Sequence, residues 1–248
     1  MKYTTPIGKA YTPYLNALSE NHLMIAGTTG SGKSVLLNGL IYTALYQSPN
    51  KVQFILIDPK RVELSMYRQL PHTLYYASEL DDRINALQYA MNLCENRYKE
   101  MENRGLKTYD GSHVYVIIDE YADLVTTQKK ETKPLIQRLC QIGRASRIHV
   151  ILCTQSPIRE ILDTTIKCNI DARFALRTRS KQDSINILGR SCCELLPKCG
   201  HAYYMSSSEF THYDNIPYYT DDILQERIEW WTRQTFKPSL LQRLFRIA

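Results

Sequence analysis

The stretch "IAGTTGSGKSVLLNGL", residues 25–40, decides how this chain folds. It has the order strand end, glycine-rich turn and helix start, and residues 27–34 satisfy the pattern G-x-x-x-x-G-K-[ST] in full. Gly27, Gly30 and Gly32 let backbone N–H groups point inward at phosphate oxygens, and the following helix adds the positive end of its dipole. The stretch therefore predicts a loop that binds the phosphates of a nucleotide.

Two side chains of this loop are predicted to take part in the chemistry. Lys33 can reach the β- and γ-phosphates, and the Ser34 hydroxyl can ligate Mg²⁺, so ATP and Mg²⁺ are the predicted ligands. The residues expected to contact the nucleotide are consecutive: Gly27, Thr28, Thr29, Gly30, Ser31, Gly32, Lys33, Ser34 and Val35.

Two carboxylates follow the apolar run "VYVII" at residues 114–118. At the end of a strand in an open α/β sheet they would lie at the carboxyl edge, where ligands bind. Asp119 is then predicted to hold Mg²⁺ through water, and Glu120 to orient and polarise the attacking water. A carboxylate in the second position favours a hydrolysing ATPase over a small-molecule kinase. The alternative is a pair of acids that only caps the strand.

A third apolar run, "ILCTQ" at residues 151–155, also ends in polar side chains. Gln155 would lie between strands that hold the nucleotide, where a polar side chain can sense the γ-phosphate. An ordinary turn at a strand end is the alternative interpretation.

Apolar runs of strand length alternate with amphipathic runs of helix length. This alternation predicts an α/β fold with a mostly parallel central sheet that helices cover on both faces. The predicted strands are residues 22–27, 52–58, 114–120, 148–155, 172–178 and 201–205. The predicted helices are residues 33–46, 80–105, 133–146 (with Pro134 in the first turn) and 221–236. We expect an N-terminal extension (1–20), an ATPase domain (21–220) and a C-terminal helix with a basic tail (221–248).

The composition is typical of a soluble globular protein, with 44% hydrophobic and 23% charged residues. The net charge of +6 mildly favours an anionic partner. Because no apolar run is long enough to span a bilayer, we expect no direct membrane insertion. The seven cysteines, an odd number, favour free thiols in a reducing cytoplasm. Cys192, Cys193, Cys199 and His201 leave a zinc site open, although adjacent cysteines do not follow the usual CxxC spacing.

Four longer stretches make the interpretation more specific. They are "DPKRVELSMYRQLPHTL" (58–74), "IDEYADL" (118–124), "RLCQIGRASRIHVILCTQSP" (138–157) and "IKCNIDARFALRTRSKQDSINILG" (166–189). In this order and spacing they closely resemble the motor domain of the FtsK/SpoIIIE family of double-stranded DNA translocases, from about Leu23 to Met205. The resemblance implies a RecA-like ATPase that assembles as a hexameric ring and pumps DNA through the ring by sequential ATP hydrolysis.

The resemblance also implies roles for individual residues. Gln155 matches the family's sensor position. Arg144 matches an arginine that related ring motors offer to a neighbour's nucleotide, and an intrachain salt bridge is the alternative. Lys167 and Lys181, with Arg179 nearby, match basic positions on pore-facing loops that grip DNA without reading bases. Solvated surface charges are the alternative for these three.

Three positions depart from the family pattern. Ser156 stands where an arginine is usual, Arg147 where a glycine is usual, and Gly200 with His201 where a glycine-acid pair is expected. We hypothesise that Arg147 restores the basic charge lost at Ser156 and contacts DNA.

The chain is expected to be a bare motor, without the membrane anchor, long linker or winged-helix domain of longer family members. Such a motor fits a mobile element, plasmid or phage, and a partner protein would load it onto DNA or tether it to a membrane. Two other functions stay open: an ATPase that drives protein secretion or conjugative transfer, and a nucleotide-dependent assembly switch. The basic tail, residues 237–248, is either a helix packed on its own domain or a docking peptide.

Overall fold

The computed structural model describes Tyr14, Ala17, Leu18 and residues 22–158, 160–162 and 164–234. Most of the predicted N-terminal extension and all of the basic tail at 237–248 lie outside these described residues. The predicted domain boundaries therefore stay a prediction.

The fold is built on one eight-stranded sheet with the strand order β3-β2-β4-β5-β1-β6-β7-β8. The first six strands in this order run parallel, and β7 and β8 form an antiparallel hairpin at one edge. The strands are β1 Leu23–Ala26, β2 Val52–Ile57, β3 Thr73–Ala77, β4 His113–Ile118, β5 Ile148–Thr154, β6 Ala172–Ala175, β7 Ala202–Met205 and β8 Phe210–Tyr213.

The central strands are apolar without alternation because both faces of the sheet are covered. Every residue of β2 and β5 is buried. Phe54 and Leu56 of β2 belong to one hydrophobic cluster, whereas Ile55 and Ile57 belong to a second cluster on the other face. The predicted fold class, a mostly parallel sheet between two helical layers, is confirmed.

Six helices flank the sheet in the described part of the chain. They are α1 Lys33–Ala44, α2 Leu80–Arg104, α3 Tyr121–Ile142, α4 Thr164–Asn169, α5 Lys181–Leu188 and α6 Asp221–Arg233, and short 3₁₀ turns cover Ser65–Tyr67 and Cys193–Leu195. Apolar residues of α1 and α6 pack in the first cluster, and those of α2, α3, α4 and α5 pack in the second. Trp231 in α6 donates its indole N–H to the carbonyl of Leu45 (2.8 Å), so α6 is fastened to the end of α1.

Helix α3 differs most from the prediction. It begins at Tyr121 rather than at residue 133, and it ends at Ile142 rather than at residue 146. Gln128 has non-helical backbone angles (φ −137°, ψ 40°), so the helix is kinked there, and Pro134 lies inside the helix instead of in its first turn. The first half of α3 is not predicted from the sequence, because the polar stretch before residue 133 carries no apolar stripe at helical spacing.

Four elements occur where the sequence pattern predicted none: β3, β8, α4 and α5. The strands lie towards or at the edges of the sheet, where side chains are only partly buried and the apolar signal is weak. The helices have six and eight residues, too few to show a clear helical period.

Across the described ranges, no helix combines the length and the apolar character that crossing a membrane requires.

Candidate nucleotide-binding site

The predicted nucleotide residues converge at the carboxyl edge of the sheet. The phosphate loop follows β1, the two carboxylates follow β4, and the polar pair at residues 154–155 ends β5. Strand β5 lies between β1 and β4 in the sheet. Because parallel strands end at the same edge, three segments far apart in sequence meet there.

At two positions of the phosphate loop the backbone has a conformation that glycine adopts easily and other residues rarely adopt. Gly30 and Gly32 have φ values of 75° and 97°, in the left-handed region. At Gly27 the reason for glycine is space, because a methyl group there would lie 2.6 Å from Oγ of Ser31 and 2.8 Å from Cβ of Leu176. The three glycines therefore permit a tight turn directly after β1.

Hydrogen bonds from the loop to neighbouring strands fix its position. The N–H of Gly27 donates to the carbonyl of Thr154 (3.3 Å), and the N–H of Thr28 donates to that of Arg177 (2.9 Å). The loop is thereby attached to the ends of β5 and β6, which lie on either side of β1.

Lys33 and Asp119 form a buried ion pair. The ammonium of Lys33 donates to Oδ1 of Asp119 (3.0 Å) and to its backbone carbonyl (3.2 Å), and the two residues are 5% and 2% exposed. Burial acts to lower the pKa of Lys33, but the neighbouring Cys153, Asp119 and Glu120 together outweigh it and raise the pKa above its usual value. Lys33 is therefore a fixed positive charge at neutral pH.

Glu120 is held in one orientation from both ends of its carboxylate. Its Oε1 accepts hydrogen bonds from Oγ1 of Thr154 and from the N–H of Gln155, each at 3.1 Å. Its Oε2 lies 3.4 Å from the ammonium of Lys60. A fixed orientation is what a general base requires, and that role for Glu120 stays a prediction.

Gln155 contacts the phosphate loop directly. Its side-chain oxygen accepts a hydrogen bond from the hydroxyl of Thr29 (2.8 Å), while its own N–H donates to Glu120. Gln155 thus connects the phosphate loop, through its side chain, to the candidate general base Glu120, through its backbone N–H. A residue that senses the terminal phosphate would need such contacts on both sides.

Two charged residues of the site, Lys60 and Glu63, were missed by the sequence reasoning. Glu63 accepts a short hydrogen bond from the hydroxyl of Ser34 (2.6 Å), and Lys60 pairs with Glu120. Both residues follow the carboxyl end of β2. Charged residues just after a buried strand are therefore the sequence feature that could have identified them. The oxygen atoms of Ser34, Glu63 and Asp119 are the donor type that Mg²⁺ prefers.

Arg144 lies at the opposite edge of the sheet, in the turn between α3 and the start of β5. It is exposed, and no carboxylate among the described residues pairs with it, so the intrachain salt bridge is not observed there. It lines a cavity of about 500 Å³ together with Lys107, Arg147, His113 and His149. This edge therefore presents a basic surface, away from the chain's own phosphate loop.

Comparison with known proteins agrees with this geometry. The model of the FtsK/SpoIIIE family matches residues 7–115 and 111–158, which is more than half of the chain. The chain belongs to the FtsK/SpoIIIE family. The resemblance seen in the sequence is therefore confirmed.

Relatives that this chain resembles are named DNA translocase FtsK. The protein from Treponema pallidum is 39% identical over 205 residues, covering 76% of this chain and 26% of the relative. The protein from Agrobacterium fabrum is 32% identical over 257 residues, covering 86% of this chain and 29% of the relative. The chain thus spans less than a third of the length of these relatives.

Solved structures agree on the fold. The conjugation coupling protein TcpA of pCW3, in its monomer form with ATPγS, has a TM-score of 0.74 at 21% identity, over 86% of this chain and 65% of that protein. The cytoplasmic domain of the type VII secretion ATPase EccC from Thermomonospora curvata has a TM-score of 0.76 at 19% identity, over 88% of this chain and 28% of that protein. At these identities the likeness concerns the fold alone.

The four residues that the family resemblance suggested for DNA lie at two edges of the subunit. Arg179 and Lys181 follow the carboxyl end of β6, on the side of the phosphate loop. Lys167, in α4, and Arg147 precede the amino ends of β6 and β5. The four residues therefore do not form one basic surface within a single subunit. Their role in DNA binding stays a prediction.

Arg147 and Ser156 lie at opposite ends of β5, and the hypothesis that Arg147 restores the charge lost at Ser156 and contacts DNA stays a prediction. The seven residues of β5 separate them, which corresponds to roughly 20 Å along a strand. Arg147 has a left-handed backbone (φ 55°) and donates its guanidinium N–H to the carbonyl of Gly111 (2.9 Å). It closes the turn before β5.

The structure does not gather Cys192, Cys193, Cys199 and His201 into one cluster. Within the described ranges, no group of three or more His, Cys, Asp or Glu side chains is arranged to hold a metal ion. Cys192 and Cys193 lie side by side (Sγ to Sγ 3.8 Å), whereas Cys199 is exposed and His201 stacks on His212.

Proposed function

We propose that this chain is an ATP-hydrolysing motor that moves along double-stranded DNA. One observation carries the proposal: Lys33, Asp119, Glu120 and Gln155 meet at one sheet edge, connected by hydrogen bonds to the phosphate loop and to each other. The relatives named DNA translocase FtsK support DNA as the substrate along which the motor moves.

The residues of the loop fit a bound triphosphate. The Ser31 hydroxyl is buried and makes no hydrogen bond within the described structure, so the loop keeps a polar atom for a ligand. Backbone N–H groups, the start of α1 and the charge of Lys33 all favour anionic oxygens at this place. In the proposed mechanism Lys33 binds and orients the β- and γ-phosphates.

Ser34 and Asp119 would hold Mg²⁺, with Glu63 close enough to orient the Ser34 hydroxyl. The ion supplies positive charge that neutralises the phosphate oxygens. Glu120 orients the attacking water and accepts its proton at a carboxylate oxygen, while Thr154 and the N–H of Gln155 keep that carboxylate in place. Gln155 detects the terminal phosphate through its contact with the loop.

We further propose that the chain works as a hexameric ring in the cytoplasm, with a loading or tethering protein as a partner. Arg144 supports a ring, since it is exposed at the edge away from its own phosphate loop, where a neighbouring subunit could receive it. A guanidinium presented across such an interface stabilises charge on the transferred phosphoryl group. Assembly of a ring would also place the basic residues from both edges of each subunit around the same DNA duplex.

The decisive experiment is the steady-state rate of ATP hydrolysis with and without linear double-stranded DNA, at low and at high salt. We expect stimulation by DNA that fades with salt, because lysine and arginine contacts to phosphates release counterions. Glu120→Gln should bind ATP as the wild type does and lose hydrolysis by at least about a hundredfold. Appreciable turnover in that variant would remove Glu120 from its role.

The same measurement separates the other functions. Robust hydrolysis that ignores DNA would point to a motor that moves protein. Binding of ATP with almost no hydrolysis, with or without DNA, would point to an assembly switch.

A further inference from the structure

The loop that precedes β7 lies directly against the phosphate loop. A methyl group built onto Gly30 would lie 3.7 Å from Cε of Lys198, and one built onto Gly32 would lie 3.9 Å from the backbone nitrogen of Gly200. Residues 196–200, which we call the 196–200 loop, therefore contact the turn that holds the phosphates. The family pattern in the sequence includes Gly200, next to His201, but assigns no role to Lys198.

Hydrogen bonds hold the 196–200 loop in place at both ends. Before it, the hydroxyl of Ser184 accepts the N–H groups of Cys192 (3.0 Å) and Cys193 (3.1 Å). After it, the carbonyl of Gly200 accepts the N–H of Ile216 (2.9 Å). Gly200 itself has a left-handed φ of 80°, which lets the chain turn into β7.

The segment that precedes this loop and the phosphate loop share one anchor at the end of β6. Thr28 donates its N–H to the carbonyl of Arg177, and the next residue, Thr178, donates its N–H to the carbonyl of Cys193 (2.9 and 3.3 Å). Backbone hydrogen bonds therefore set the position of the segment that leads into the 196–200 loop relative to the phosphate loop.

The charge of Lys198 is not compensated in the described structure. Lys198 is exposed, and its ammonium forms no ion pair with any carboxylate of residues 22–158, 160–162 or 164–234. Lys33, in contrast, is buried and paired with Asp119. The two lysines therefore differ: one is committed to a carboxylate of the site, and the other has its charge available beside Gly30.

We propose that Lys198 is a second phosphate-binding lysine, which contacts the phosphates of a bound nucleoside triphosphate from the β7 side of the loop. This inference rests on the proposed nucleotide site. An ammonium beside a phosphate-binding turn adds a charge-assisted contact to anionic oxygens. Because Lys198 lies at the surface, its contribution depends on salt.

The test compares the dissociation constant of ATPγS, measured by titration calorimetry, for the wild type and for Lys198→Met, which keeps the apolar stem and removes the charge. We expect binding to weaken about five- to tenfold at low salt, and the affinity to depend less on salt. Lys198→Arg should restore most of the affinity, because it restores the charge. The unfolding temperature without ligand should be unchanged, which separates loss of a ligand contact from loss of structure.

Lys51→Met is the matched control, because Lys51 is also exposed but lies at the amino edge, in the turn before β2. If the wild type binds ATPγS and the dissociation constant of Lys198→Met is within about twofold of the wild-type value, the inference about Lys198 is overturned. The proposed nucleotide site would not be affected by that result. A wild type that does not bind ATPγS would overturn the proposed nucleotide site, and this inference with it.

Discussion

The ammonium of Lys33 lies 3.0 Å from Oδ1 of Asp119, and this contact joins the phosphate loop after β1 to the carboxylates after β4. Both residues are buried, so each is the other's main source of electrostatic compensation. The pair therefore has two roles, since it contributes to the stability of the fold as well as to the shape of the site.

The first prediction concerns the stability of this pair. Lys33→Met or Asp119→Asn alone leaves one buried charge uncompensated, and each should lower the free energy of unfolding by about 3 kcal/mol. The double variant should lose less than the sum, with a coupling of about 1–3 kcal/mol in urea unfolding. Lys60→Met is the control, because Lys60 is half exposed and the buried Glu120 keeps its hydrogen bonds from Thr154 and Gln155, so the loss should be about 1 kcal/mol or less. Additive losses in the double variant would contradict the assignment.

The second prediction concerns Thr154, whose hydroxyl donates to Oε1 of Glu120 at 3.1 Å. Thr154→Val keeps the shape and removes the donor, so Glu120 loses one of the contacts that orient it. We expect the maximal rate of ATP hydrolysis to fall about tenfold, while the affinity for ATPγS is unchanged.

Thr154→Ser is the matched variant, since it restores the hydroxyl without the methyl group. It should recover most of the hydrolysis rate. If Thr154→Val hydrolyses ATP as fast as the wild type, the hydroxyl does not position Glu120.

The third prediction concerns Arg144 at the far edge of the sheet. Arg144→Ala should bind ATPγS normally and lose hydrolysis by at least about a hundredfold, because the arginine acts on a neighbour's nucleotide. Mixed with Lys33→Ala subunits, it should regain activity that neither variant has alone, since some interfaces then combine an intact Lys33 with an intact Arg144.

Arg138→Ala is the control for this mixing experiment, because Arg138 is another exposed arginine, on α3. It should hydrolyse ATP as the wild type does. Absence of complementation in the mixture would argue against a role of Arg144 between subunits.

The fourth prediction concerns acid stability and His22. Burial, followed by the charge of His149, lowers the pKa of His22 to about 4, compared with about 6.5 in an unfolded chain. The fold therefore favours the neutral ring. The stability that this provides is present above about pH 6.5 and is lost as the pH falls towards 4.

We expect His22→Gln to flatten this decline, because an amide accepts the N–H of Val150 as the imidazole does but does not titrate. Between about pH 7 and about pH 4.5, the wild type should lose roughly 2–3 kcal/mol more unfolding free energy from this group than the variant. His212→Gln is the control, since His212 is exposed on β8. Parallel declines in wild type and His22→Gln would contradict the prediction.

The sequence by itself determined the phosphate loop, the carboxylates after β4, the fold class and the family. These are local patterns. A loop of eight residues with required glycines, or an apolar run that ends in acidic residues, predicts the same local structure wherever its strand lies in the sheet. The sequence missed the first half of α3, because a helix held by a few buried residues at its start carries no apolar stripe through its polar turns.

Only the tertiary structure decided which distant residues meet. The strand order brings Lys60 and Glu63 to the phosphate loop, and packing of the segment before β7 brings Lys198 to Gly30. It also separates Arg147 from Ser156, which are close in sequence but lie at opposite ends of β5. The reason is geometric: a strand carries its two ends to opposite edges of the sheet, whereas parallel pairing brings the ends of remote strands together.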